Sequence, residues 1–112
     1  MPEAGFCLDL GHARQIDPTM ATAVRMAKEF GKRLRQLHVS EVGRGGQHLP
    51  LSALAIYAFQ LVVPFIPTTC AVIIESVIAP DQIERETRKA AELFDSSRAV
   101  KRSFEMALAL AT

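Results

Sequence analysis

The chain has 112 residues, of which 49% are hydrophobic and 22% are charged, the composition of one ordinary soluble globular domain. A formal net charge of +1 excludes the strongly basic surface that attracts nucleic acid or anionic membranes, so we expect neither partner. No signal peptide is recognisable, and the longest apolar stretch, Leu51–Pro67, is too interrupted to span a membrane. We expect a single domain over residues 1–112, reduced and cytoplasmic, in which Cys7 and Cys70 are free, buried thiols.

The first half of the chain predicts two strands separated by a helix. Gly5–Leu10 reads as a short strand that ends at Gly-His. Asp17 and Pro18 predict the start of a helix, because an acid suits the N-cap and proline suits the first helical position. Gly31 is expected to end that helix, and Leu34–Val42 follows as the second strand.

The second half predicts a further helix–strand–helix series. A helix over Ser52–Val62 is apolar nearly all round, so we expect neighbours to cover more than one side of it. Cys70–Val77 is rich in Val and Ile, which is typical of a parallel strand buried on both faces. Pro80 predicts the start of the next helix, and Arg98–Ala111 predicts a terminal amphipathic one. The apolar stripe of the helix after Pro80 is expected to comprise Ile83, Ala90, Ala91 and Phe94.

This alternation predicts an α/β fold. Three consecutive β/α units, followed by a C-terminal helix, require parallel strands joined by right-handed crossovers. In such folds the C-terminal ends of the strands and the loops after them form the active site.

Polar residues that can bind metal or substrate stand at all three predicted strand ends. They are Asp9 and His12 after the first strand, His38, Glu41, Arg44 and His48 after the second, and Glu75 in the third. Carboxylates mixed with imidazoles suit Mn²⁺, Co²⁺ or Zn²⁺, and Mg²⁺ if carboxylates dominate. Glu75 is the most informative, because an ionised carboxylate within an apolar strand is costly unless it is paired or bound to metal.

Each of these residues also has an ordinary structural interpretation. A single histidine at a strand end is usually hydrogen-bonded, Asp9 alone could cap a loop, and Arg44 alone could be a solvated cation. Glu75 alone could pair with a basic residue across the sheet. The coincidence of a ligand-type residue at each of three successive strand ends favours a metal site.

Three segments resemble a known family. They are LDLGHA from Leu8, LHVSEVGRGGQHLP from Leu37 and VIIES from Val72. In this order and spacing they resemble the last three β/α units of the sugar phosphate isomerase/epimerase family, the xylose isomerase-like TIM barrels. The resemblance covers roughly Gly5 to Phe94 and implies a partial TIM barrel.

The resemblance also implies residue roles. The matching positions imply a divalent metal held by Asp9, His38 and Glu75. They imply contacts to a sugar or sugar phosphate from His12, Arg44 and His48. In the family, the metal polarises a ketose carbonyl while two glutamates move the proton at the neighbouring carbon, so Glu75 would also be catalytic.

The chain departs from the family pattern in ways that leave several hypotheses open. The second proton-transfer glutamate belongs to an earlier strand that is not in this sequence, and Ser52-Ala53-Leu54 replaces a Gly-x-Gly turn. Three units cannot close a barrel of about 250 residues. The chain is therefore expected to be a C-terminal portion with impaired or no activity alone, completed by a missing N-terminal half or by homo-oligomerisation.

Two alternatives remain. One is a non-catalytic small α/β protein that keeps relict ligands and acts through oligomerisation. The weaker one is a fragment of an endonuclease IV-like zinc enzyme, disfavoured because Gly46 occupies the position of an aspartate in that branch.

Overall fold

Residues 4–95 are described by a computed structural model, in which a three-stranded parallel sheet is combined with helices. The sheet contains β1 (Phe6–Asp9), β2 (Leu34–Val39) and β5 (Ala71–Ile74), in that spatial order. A small antiparallel hairpin follows β2 and is formed by β3 (Glu41–Val42) and β4 (His48–Leu49). The helices in this range are α1 (Leu10–Ile16), α2 (Ala21–Phe30), α3 (Ala53–Phe59) and α4 (83–95).

The predicted α/β class and parallel pairing are confirmed. The helix predicted over Arg98–Ala111 lies outside the described residues. Within residues 4–95, every helix is too short or too polar to cross a bilayer. Membership of a barrel stays a prediction.

Strand register places the ends of the parallel strands side by side. Asp9 pairs with His38, and His38 pairs with Ile73. Glu75 follows β5 directly, and its backbone N–H donates to the Val39 carbonyl at 3.0 Å. Three neighbouring strand ends therefore bring Asp9, His38 and Glu75 to one edge of the sheet.

The sheet buries one face and leaves the other open. On the covered face, Leu37 and Val39 are completely buried beneath the helices, in one core with Phe59. Because side chains alternate along a strand, a neighbouring row of residues across the three strands points to the opposite, open face. That row is Cys7, Gln36 and Ala71, all exposed.

The exposure of β5 and of Cys7 overturns two expectations from the sequence. β5 is not buried on both faces, since Val72 is 37% exposed and Ile73 is 38% exposed. β5 is the edge of the described sheet, so it lacks a neighbour on one side. Cys7 is exposed, although Cys70 is buried as expected, and both are free thiols.

The sequence pattern did not predict helix α1, which follows β1 directly. Asp9 is its N-cap, and the carboxylate accepts a hydrogen bond from the His12 backbone N–H at 3.0 Å. The predicted start at Asp17-Pro18 is therefore wrong: Asp17 is the C-cap of α1, and α2 begins at Ala21. The Asp17 carboxylate instead accepts from Thr19 in the turn, and this side-chain hydrogen bond is the main cause that lowers the pKa of Asp17.

The strand and helix ends also differ from the predictions after β2. At Ser40 the chain leaves the parallel sheet to form the hairpin, so β2 ends at Val39. The predicted start of α3 is confirmed: Ser52 is its N-cap, and the Ser52 hydroxyl accepts a hydrogen bond from the Ala55 N–H at 3.0 Å. The helix ends at Phe59, and its outward side is uncovered, contrary to expectation: Leu54 is 71% exposed.

Helix α4 buries a different stripe from the one predicted. Ala90 and Phe94 are buried, but Ile83 and Ala91 are exposed. Their places on the inner face are taken by Leu93 and Glu86.

Glu86 anchors α4 to two loops. Its buried Oε2 accepts from the Leu51 backbone N–H at 2.7 Å and from the Ser76 hydroxyl. Lys89 lies 3.5 Å from Oε1 and donates to the Leu51 carbonyl at 3.0 Å. This carboxylate thus holds Ser76, the residue directly after Glu75, to the helix layer.

We predict that Glu86→Ala lowers the free energy of unfolding by about 2 to 4 kcal/mol, because it leaves a buried N–H and a partly buried hydroxyl without their acceptor. Urea denaturation followed by circular dichroism measures this change. Glu84→Ala is the matched control, since the Glu84 side chain is 88% exposed and its ion pair is with the likewise exposed Arg88 one turn along the helix. Its effect should stay within about 0.5 kcal/mol, and equal losses in both variants would contradict the role given to Glu86.

Candidate metal centre

Three side chains from three strand ends converge on one point. Asp9, His38 and Glu75 each present a ligand atom, and these atoms lie within 4.8 Å of one another. Oxygen and nitrogen ligands sit about 2.0 to 2.2 Å from a zinc ion, so two ligands of one ion are at most about 4.4 Å apart. Small side-chain adjustments would bring all three onto a common cation.

Glu75 lies between two imidazoles. His38 Nδ1 contacts Glu75 Oε1, and His48 Nδ1 lies 3.5 Å from Glu75 Oε2. The side chains of His38 and Glu75 are 22% and 27% exposed, so this pair is partly shielded from water. The two imidazoles provide the partners that a carboxylate at the end of an apolar strand requires.

The hairpin positions His48 beside the sheet. The Val77 N–H donates to the His48 carbonyl at 3.0 Å, which ties β4 to the segment after β5. The His48 ring is also hydrogen-bonded to the buried Ser40, with Nδ1 and Oγ 2.9 Å apart. Ser40 marks the point where β2 gives way to the hairpin, so one residue both turns the chain and orients the ring.

Helix α1 brings His12 to the same place. Its Nε2 lies 3.9 Å from Asp9 Oδ2, and its ring stands edge-on to that of His48 with centroids 5.2 Å apart. Gly11 allows the start of α1 to lie close to Ser40, because a Cβ at residue 11 would lie 2.7 Å from the Ser40 carbonyl oxygen. The cluster therefore comprises the triad flanked by two further imidazoles.

Arg44, which the sequence predicts to contact substrate, lies outside this cluster. It lies exposed in the turn between β3 and β4, next to Gly45 and Gly46. Among residues 4–95 it has no hydrogen-bond or ion-pair partner. Its contact with substrate stays a prediction.

Glu41 was a candidate site residue because it lies at the end of the second predicted strand, but both of its carboxylate oxygens have other partners. One oxygen accepts from the Arg14 guanidinium and the other from the Ser52 hydroxyl. Glu41 thus joins α1 to the N-cap of α3 and stabilises the frame around the cluster. Sequence reasoning missed Arg14 and Ser40, because a basic residue in a helix and a serine after a strand carry no signal of their own.

Cys7 lies on the open face, two residues before Asp9 on the same strand. Partial burial of the thiol raises its pKa, and the negative charges of Asp9 and Glu75 raise it further. A thiol whose pKa is raised stays protonated at neutral pH and is a poor nucleophile. The pKa of Cys7 therefore depends in part on the negative charges of the cluster.

Comparison of the chain with protein-family models, curated proteins and solved structures finds no match. These comparisons neither support nor oppose the family resemblance, so the functional argument depends on the cluster itself.

We predict that Asp9→Asn lowers the pKa of Cys7 in metal-free buffer, because it removes a negative charge that disfavours the thiolate. Asparagine keeps the N-cap acceptor of α1, so the helix should be preserved. The measurement is the pH dependence of Cys7 alkylation by iodoacetamide, resolved from Cys70 by peptide mass spectrometry. Asp81→Asn, in the exposed turn before α4, should leave the profile unchanged; an unmoved profile in Asp9→Asn would refute the proposed coupling.

Proposed function

We propose that Asp9, His38 and Glu75 bind a divalent metal ion in a sugar or sugar phosphate isomerase/epimerase that moves a proton next to a ketose carbonyl. The supporting observation is the convergence of the three ligand atoms within 4.8 Å at neighbouring strand ends. These residues are far apart in sequence, so only the register of a parallel sheet unites them.

The chemistry of the donor set fits a resident cation. Two carboxylates and one imidazole match the mixed oxygen and nitrogen ligation of Mn²⁺, Co²⁺ or Zn²⁺, whereas Mg²⁺ prefers oxygen alone. When bound, the ion would supply positive charge for the carbonyl oxygen of the substrate. The open sheet face leaves room for a ligand beside the three side chains.

Glu75 is the proposed acid/base. A carboxylate takes a proton from the carbon next to a carbonyl when it lies within hydrogen-bonding distance of that proton. The His38 ring contacts the Glu75 carboxylate through Nδ1, and His48 Nδ1 lies 3.5 Å from Glu75 Oε2. His12 and His48 line the same edge and can hydrogen-bond to sugar hydroxyls.

A complete epimerisation needs a second acid on the opposite side of the substrate. Glu41 does not meet this need, because Arg14 and Ser52 already occupy both of its oxygens. The exposed row of Cys7, Gln36 and Ala71 likewise leaves the proposed substrate site without a wall. We therefore propose that full activity requires further strands over this face, from a longer chain or from a partner.

One observation favours the alternative of a non-catalytic protein. His38 Nδ1 contacts Glu75 Oε1 and His48 Nδ1 lies 3.5 Å from Oε2, so the same residues can form a purely structural polar cluster. Metal affinity separates the two hypotheses.

We predict that the chain binds Mn²⁺ and that Glu75→Gln weakens binding by more than roughly 100-fold. Mutation of a residue that only hydrogen-bonds to a metal ligand already lowers metal affinity by about 10- to 100-fold, so loss of a ligand itself should cost more. Isothermal titration calorimetry measures both affinities. Glu84→Gln, on the exposed side of α4, is the control and should bind like the wild type. Equal binding by wild type and Glu75→Gln would remove Glu75 from the site, and no binding by the wild type would favour the non-catalytic alternative.

We also predict little or no epimerase turnover by the isolated chain with Mn²⁺ or Co²⁺, because residues 4–95 place no second free acid beside the cluster. Proton NMR in D₂O, on free and phosphorylated ketoses, detects both epimerisation and slower deuterium exchange at the carbon next to the carbonyl. Robust epimerisation by the purified chain would overturn the requirement for further strands.

A further inference from the structure

Helix α3 presents an apolar stripe to solvent. Leu54 and Tyr57 are 71% and 72% exposed, and Leu61, in the turn after the helix, is 49% exposed. Their spacing of three and then four residues is that of the contact seam between two packed helices. A seam of this kind on a solvated helix indicates a docking surface.

The segment of the chain that contains this stripe carries no charged side chain. The sequence has no Asp, Glu, Lys or Arg from Leu49 to Ile74. On α3 the residues flanking the stripe are Ala53 and Gln60, both exposed and uncharged. The outer surfaces of the other long helices differ, because α2 exposes Arg25, Lys28 and Glu29.

An uncharged seam suits a second copy of the same chain. In a two-fold dimer the same patch occurs on both sides, so a charge near the axis meets its own copy and is repelled. A face without charges avoids this penalty, whereas a different charged partner would call for complementary charges that α3 lacks. Tyr57 also fits, since tyrosine is enriched in protein interfaces.

We propose that the stripe formed by Leu54, Tyr57 and Leu61 is a two-fold homodimer interface, with α3 of one chain packed against α3 of the other. The contact is two helical turns long, so the dimer is weak and depends on concentration. The inner side of α3 joins the core under the covered face of the sheet, through Ala55 and Phe59. Dimerisation on the outer side therefore leaves the open face and the metal cluster accessible.

Sedimentation velocity of the full chain in EDTA tests this proposal, because the chelator removes any association through metal. We expect a monomer–dimer equilibrium for the wild type and a dissociation constant raised on the order of 100-fold in Tyr57→Glu, since both copies lose a buried aromatic contact. Ile83→Glu is the matched control, because Ile83 is 55% exposed on α4, and it should dimerise like the wild type.

Crosslinking gives a second readout that does not depend on the charged variant folding. In a Cys7→Ser background, Tyr57→Cys should form a disulfide-linked dimer under mild oxidation, whereas Ile83→Cys should remain monomeric. A wild type that stays monomeric at all concentrations would overturn the proposal. So would a dimer that Tyr57→Glu leaves intact, which would instead point to association through the open sheet.

Discussion

The parallel pairing of three short strands is the constraint on which the rest of this structure depends. The register sets Asp9 beside His38, and the bond from the Glu75 N–H to the Val39 carbonyl continues the same ladder beyond β5. A shift of one residue in either pairing would turn a ligand side chain to the opposite face of the sheet. The geometry of the cluster is therefore a consequence of backbone hydrogen bonds, and the apolar core beneath the sheet maintains them.

Two acidic residues near the same end of the sheet have different roles because their neighbours differ. Glu41 is neutralised by Arg14 and bonded to Ser52, so its charge stabilises the packing of α1 and α3. Glu75 faces imidazoles, whose nitrogen atoms are also ligands for metal. A guanidinium is always protonated and cannot share a cation site, whereas a neutral imidazole can. The type of partner thus separates the structural carboxylate from the candidate ligand.

The two faces of the sheet have opposite consequences. The helix-covered face supplies stability through a continuous apolar core that includes Leu37, Val39 and Phe59. The open face holds the candidate ligands and the exposed Cys7, and the backbone edges of the described sheet are available for further pairing. Stability and candidate chemistry are therefore divided between the two sides of one sheet, which is consistent with a site that a larger assembly would enclose.

The sequence alone missed helix α1 and the β3–β4 hairpin. It determined the α/β class, the three parallel strands and the identity of the three candidate ligand residues. These follow from short-range signals, namely apolar strand runs and ligand-type residues at their ends. Tertiary structure decided the start of α1 at its Asp9 cap, the burial of Glu86 in place of Ile83, and the exposure of β5. Those features depend on which surfaces meet in space, and helical periodicity or hydrophobic runs do not specify a neighbour. A cap or a buried carboxylate becomes evident only when its partners, distant in sequence, are brought within hydrogen-bonding distance.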